Sequence, residues 1–120
     1  MKFIWSTLKI INMEESLKFY EEVIGLKVDS RFKLNEKLEI AFLGDGETKV
    51  ELICAKGSSD LSIGSDISWG FQVDSLAEFT NFLVAKNIEI IEGPIQPNPF
   101  TKFIYIKDPN GLKIQVVEKR

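Results

Sequence analysis

The 120-residue chain contains no histidine and one cysteine, Cys54. These two facts remove imidazole ligation of a metal, an internal disulfide and a multi-thiolate metal site from the chemistry open to it. What remains are carboxylates, amides, hydroxyls, lysines and an aromatic complement of two Trp, two Tyr and nine Phe. Four candidate residues stand at related places. Ser68 follows Trp5 by 63 residues, and Gln115 follows Glu51 by 64. Those offsets run through the whole chain, because one pattern is written in it twice.

The elements that carry these residues show the duplication. Asn12-Met13-Glu14-Glu15 reads as a helix N-cap followed three residues on by a carboxylate that can reach back to the cap. Met13, Leu17, Tyr20 and Ile24 then recur at helical spacing, and Gly25 stands where a left-handed stop is wanted. Ser75-Leu76-Ala77-Glu78 repeats the start, Leu76, Phe79, Phe82 and Leu83 repeat the apolar stripe, and Asn87 takes the stop. Strand-like runs over 4–11 and 69–73 precede the two helices. After the first helix, Leu38, Ile40 and Phe42 alternate before Gly44-Asp45-Gly46, and 50–54 returns. After the second, 103–106 leads into Asp108-Pro109-Asn110-Gly111, and 112–117 returns. Asp-Gly and Asn-Gly predict tight hairpins with both central residues at positive φ. A two-residue Asp45-Gly46 turn would pair Gly44 with Glu47 and set Glu51 opposite Ile40.

The predicted class is therefore α+β: two tandem β-α-β-β-β units forming a curved mixed sheet around a cup, with the helices outside. The repeats cover about 1–55 and 67–120 of a single domain, joined by the Gly- and Ser-rich stretch 56–66. Neither unit alone has the material for an independent core. The concave face is the expected binding site, since small molecules favour such faces. A net charge of −3 with no basic run argues against nucleic acid as a partner. No apolar run approaches the roughly 20 residues that span a bilayer, so no membrane association is expected. The apolar stretch near the start is broken by Ser6, Thr7 and Lys9 and lacks a small-residue cleavage site. The cytoplasm is the expected location.

The pattern resembles the vicinal oxygen chelate superfamily, which includes glyoxalase I, the bleomycin-resistance proteins and the extradiol dioxygenases. Ser16-Leu17-Lys18-Phe19-Tyr20 with Val23-Ile24-Gly25-Leu26 is similar to that family's first helix. Val50-Glu51-Leu52 is similar to its mid-chain strand, and Lys107-Asp108-Pro109-Asn110-Gly111 to its hairpin. The resemblance implies that metal-using relatives place their four inward-facing ligands at the positions of Trp5, Glu51, Ser68 and Gln115. Only Glu51 keeps a residue type expected there: Gln115 retains shape without charge, Ser68 is a poor ligand and Trp5 cannot ligate. No metal or other cofactor is expected. The glutathione-holding places of glyoxalase I fall on Lys9, which keeps a charge without the arginine fork, and on Ala55, which offers no hydrogen bond.

Strand alternation gives the inward face. From Trp5 come Thr7 and Lys9; from Ser68 come Gly70 and Gln72; from Glu51 comes Ile53; Val117 follows Gln115. Leu38, Ile40 and Phe42 join them, and Phe103 and Tyr105 are placed inward with Ile104 and Ile106 under a helix. The outcome is an apolar and aromatic pocket with few polar groups, suited to a flat, partly aromatic molecule. Trp5 is either its stacking surface or core filling. Glu51 is either a general acid or base, a partner of Lys9 or Lys49, or a remnant of a metal-binding ancestor. Cys54 alternates outward as a small core residue, and Trp69 faces away from the cup. The segment 93–99, with Pro94, Pro97 and Pro99, is either a lid that sets Phe100 at the mouth or a stiff edge connection.

The reading that results is a metal-independent relative of the glyoxalase and bleomycin-resistance proteins that binds a small molecule. The alternatives are a divergent lyase or isomerase of the glyoxalase type using Glu51, and an interaction module. Relatives pair, so a homodimer is the expected assembly.

Overall fold

A computed structural model describes residues 1–120. The chain divides into two units, residues 1–62 and 63–120. In the first, β1 (Trp5–Ile10) leads to α1 (Met13–Lys18), which passes into a π-helical turn over Phe19–Val23, then to β2 (Val28–Asn35), β3 (Leu38–Leu43) and β4 (Lys49–Ala55). In the second, β5 (Ser68–Gln72), α2 (Leu76–Ala85), β6 (Glu92–Asn98), β7 (Thr101–Lys107) and β8 (Lys113–Lys119) follow in the same order. Each unit has a four-stranded mixed sheet of its own, ordered β1-β4-β3-β2 and β5-β8-β7-β6. The β-α-β-β-β unit written twice is what the sequence predicts.

The helix starts form as their caps dictate. Asn12 Oδ1 accepts from the Glu15 N–H at 3.0 Å, and Ser75 Oγ accepts from the Glu78 N–H at 3.1 Å. Both satisfy a first-turn donor that has no partner within the helix. Gly25 and Asn87 stop the two helices in the left-handed region, with φ of 85° and 57°. The expected stripe through Ile24 departs from regular α geometry after Lys18. The Ile24 N–H bonds to Phe19 O at 3.2 Å, so the last turn widens while Tyr20 remains wholly buried.

One face of each sheet lies on its helix side. In the first unit Leu8, Ile10, Ala41, Leu43, Val50 and Leu52 are buried there, with Met13, Leu17 and Tyr20 of the helix. In the second, Ile104, Ile106, Ile114 and Val116 are buried with Leu76 and Leu83 of α2. Each Val, Leu, Ile or Met side chain among them removed from water contributes about 1.5–3 kcal/mol before chain entropy is counted. Period-two alternation then delivers the neighbouring residues to the opposite, open face.

The first hairpin differs from expectation. Leu43 pairs with Val50 and Phe42 with Glu51, so the connection between the strands spans 44–48 and Glu51 lies opposite Phe42, not Ile40. The left-handed position is Gly44, at φ 111°, and neither Asp45 nor Gly46 is left-handed. Polar groups hold the longer loop. Lys49 Nζ donates to Gly44 O at 3.0 Å and Gly46 O at 3.2 Å, and Thr48 Oγ1 donates to Phe3 O at 2.5 Å. In the second hairpin Gly111 alone is left-handed, at φ 94°, and Asn110 is not. Asp108 organises that loop by accepting from the Asn110 and Leu112 N–H groups. Of the segment 93–99, Pro99 lies in the turn that follows β6, and residues 93–98 belong to β6 itself, the edge strand of the second sheet, with its register broken on both sides of Ile95. Prolines are tolerated there because an edge leaves half the ladder unpaired.

Candidate functional site

The open face of the first sheet carries the first unit's candidate residues together. Across β1 and β4, Trp5 aligns with Lys49, Thr7 with Glu51 and Lys9 with Ile53. Across β4 and β3, Glu51 aligns with Phe42, Ile53 with Ile40 and Ala55 with Leu38. Residues opposite one another in a ladder share a face, so Trp5, Thr7, Lys9, Leu38, Ile40, Phe42, Glu51 and Ile53 stand on one side, away from the helix-side residues. The strand β2 adds Phe32, opposite Ile40, which sequence reasoning missed. Its alternation with Ser30 was the available signal.

Three of these rings form a ladder. Trp5 meets Phe42 edge-on, with centroids 5.2 Å apart, and Phe42 stacks on Phe32 at 6.4 Å. Trp5 and Phe32 are 46% and 43% exposed, so the indole is not core filling. Beside the ladder Glu51 is 8% exposed, and its Oε1 accepts from Thr7 Oγ1 at 2.5 Å. Neither lysine proposed as its partner pairs with it: Lys49 turns to the 44–46 loop and to Asp29 at 3.9 Å, and Lys9 forms no ion pair. Cys54 lies on the helix face, half-buried, where its Sγ donates to Ile11 O at 3.3 Å.

The second sheet is built alike. Gly70 and Tyr105 flank Gln115, Gln72 and Phe103 flank Val117, and Ser68 lies beside Lys113. Phe103 and Tyr105 therefore share the Gln115 face, and Ile104 and Ile106 are buried on the other. Gln115 Nε2 donates to Tyr105 Oη at 3.4 Å, and Lys113 Nζ sits 4.3 Å above the Tyr105 ring. A concavity of about 370 Å³ is lined by Gly70, Gln72, Thr101, Phe103 and Gln115 among others. Phe100 is exposed in the turn between β6 and β7. Trp69 aligns with Ile114, on the face away from Ser68.

A family model described as the Glyoxalase/Bleomycin resistance protein/Dioxygenase superfamily matches residues 6–116, and the chain belongs to that superfamily. It is 26% identical over 128 aligned positions to lactoylglutathione lyase of Neisseria meningitidis, covering all of this chain and 92% of that protein. It is 29% identical to a probable chloroplastic lactoylglutathione lyase of Arabidopsis thaliana, covering 92% of this chain but about a third (34%) of that relative's length. Among solved structures, the trypanothione-dependent glyoxalase I of Leishmania major superposes with a TM-score of 0.83 at 22% identity, over 98% of this chain and 86% of that one. That likeness is one of fold.

The resemblance implies a metal held by four residues, and the groups at those positions can be tested against it. Trp5 carries no acceptor, Glu51 commits one oxygen to Thr7, Ser68 offers a hydroxyl, and Gln115 an amide whose nitrogen is engaged with Tyr105. No three Asp, Glu, Cys or His side chains gather anywhere in the chain as a metal would need. The donors do not fit a catalytic divalent ion, which requires several carboxylates or imidazoles at short range.

Proposed function

We propose that this superfamily member works without a metal and binds a small, partly aromatic molecule, in the manner of a sequestering protein. The observation that carries the reading is the half-exposed ladder Trp5–Phe42–Phe32 on the open face of the first sheet. Exposed, mutually ordered rings bind flat ligands by offset or edge-on contact and lose little side-chain entropy in doing so. The residues at the four ligand positions support the same reading, since one indole, one hydroxyl and one amide replace the ionic donors a metal needs. Taken by itself, the open face of the second sheet carries polar groups of its own at Gln72, Gln115 and Tyr105. A homodimer is the proposed assembly.

Tryptophan fluorescence titrated with a panel of planar small molecules tests the reading, alongside melting temperature. A ligand that binds the native chain quenches or shifts Trp5 emission and raises the melting temperature. No response across the panel overturns the proposal, as does stoichiometric Ni, Zn, Fe or Mn in protein purified without added metal.

A second reading, a lyase or isomerase of the glyoxalase type, is favoured by the names of the curated relatives and by the buried carboxylate of Glu51. In it Glu51, fixed by the Thr7 hydroxyl, moves a proton on a bound substrate. A Glu51→Gln variant that kept full turnover of such a substrate would remove that role.

A further inference from the structure

Glu51 is nine-tenths buried, yet only one of its oxygens is used. Oε1 takes the Thr7 hydroxyl, and no hydrogen bond or ion pair to Oε2 exists within the protein. No buried side-chain oxygen of the chain lacks a partner, so Oε2 is the part of Glu51 that still reaches solvent. Its position on the Trp5, Thr7 and Phe42 side of the sheet fixes where it does so, on the face that carries the aromatic ladder.

No lysine or arginine forms an ion pair with this carboxylate either. Lys49, one residue pair away on the same face, donates to two loop carbonyls and lies 3.9 Å from Asp29. Lys9 aligns with Ile53, not with Glu51, and forms no ion pair. A carboxylate accepts hydrogen bonds and cannot donate one, so it repels acceptors and anions. The π faces of the Trp5 and Phe42 rings beside it are negative and favour a neighbouring cation, an attraction that a partly desolvated site strengthens.

We propose that Glu51 selects ligands carrying a cationic nitrogen, an ammonium or amidinium, on a planar ring. The ring lies on Trp5 and Phe42, and the nitrogen donates to Glu51 Oε2 while Thr7 holds the other oxygen. The proposal rests on the binding reading above and narrows it to one ligand class.

Three probes of matched size and ring separate the two: 2-naphthylmethylamine, 2-naphthylmethanol and 2-naphthoate. Each is titrated into the full chain while the indole N–H signal of Trp5 is followed by NMR, assigned with a Trp69→Phe variant. The amine is expected to bind about tenfold or more tightly than the alcohol, as a charge-assisted hydrogen bond exceeds a neutral one, and the naphthoate most weakly. In Glu51→Gln the amine and alcohol are expected to bind alike. The comparison among probes on the unaltered chain stands even where that variant fails to fold. An alcohol or naphthoate that bound as tightly as the amine would overturn the cation preference and leave the binding reading in place. So would an amine preference that survived Glu51→Gln. If none of the three moves the Trp5 signal, both readings fall.

Discussion

Thr7 and Glu51 are partners across the parallel β1–β4 ladder, and the Thr7 hydroxyl donates to Glu51 Oε1 at 2.5 Å. The bond spans 44 residues of sequence and joins an exposed position on one strand to a buried one on its neighbour. It settles how the chain keeps a carboxylate within an apolar face without a cation beside it. The hydroxyl satisfies one oxygen and orients the other outward.

Thr7→Val removes the hydroxyl at nearly constant shape. Glu51 Oε1 is then left in a buried site without its donor, and the expected loss of stability is about 1–3 kcal/mol. Thr7→Ser restores the donor and is expected to recover most of it. Urea denaturation of both variants and the parent chain checks this; a Val variant as stable as the Ser variant would show the bond to be immaterial.

The second unit has its own buried carboxylate, and it serves folding. Glu118 lies on the helix side of β8, where its Oε1 accepts from the Leu76 N–H at 2.9 Å, at the start of α2. Its Oε2 lies 3.3 Å from Arg120 Nε and 3.7 Å from Lys102 Nζ. The Leu76 N–H holds the carboxyl below its ordinary value of 4.5; burial opposes it, and Lys102 and Arg120 add to the lowering. A folded-state pKa that is depressed adds stability that is fully present above the unfolded value and is lost as pH falls through the folded one. Melting temperatures of the parent and Glu118→Gln are therefore expected to differ at pH 7 and to converge as pH drops below about 4.5. A gap that stayed constant down to pH 3 would contradict this role for the carboxylate.

Gly93 sits in the edge strand β6 at φ 103°. A Cβ there would approach Phe103 O to 2.8 Å and Ile104 Cα to 3.1 Å. Both obstacles are backbone of the adjacent strand, so neither can rotate aside. Gly93→Ala is expected to cost about 1–3 kcal/mol from the left-handed backbone alone, and more from the clash. Thermal unfolding of the variant measures it. Gly25, which also has positive φ but meets nothing within 4 Å, is the control and is expected to suffer the smaller loss.

How much of this was legible in the sequence depends on the range of the interaction. The caps at Asn12 and Ser75 and the stops at Gly25 and Asn87 are local, three or four residues of backbone chemistry, and they form as written. The hairpin at Asp45-Gly46 is not a two-residue turn, because the Lys49 ammonium and the Thr48 hydroxyl bind the loop and the main chain beyond it. That moved the partner of Glu51 from Ile40 to Phe42, a slip of two residues, and a slip of two preserves the face. The open-face assignment of Leu38, Ile40 and Phe42 survived an incorrect register for that reason. The Thr7–Glu51 bond and the Trp5–Phe42 contact follow from the parallel register of β1 on β4, which no local signal in either strand encodes.

Asp108 shows how the two copies diverged at equivalent hairpins, since it stands where the first copy has Gly44. Buried at 5% exposure, its Oδ1 accepts from the Asn110 N–H at 2.9 Å and the Leu112 N–H at 2.8 Å, and its Oδ2 from Asn110 Nδ2 at 3.1 Å. The first hairpin solves the same problem from outside the turn, with Lys49 donating to the Gly44 and Gly46 carbonyls. Asp108→Ala strands the Leu112 N–H in a buried place and is expected to cost about 1–3 kcal/mol. Asp108→Asn keeps one carbonyl oxygen for the two N–H groups and is expected to cost less. Hydrogen exchange reads the effect locally: the Leu112 amide is expected to lose protection in the Ala variant while amides of β3 and β4 keep theirs. Equal loss in both units would mean that the hairpin is not stabilised locally by this carboxylate.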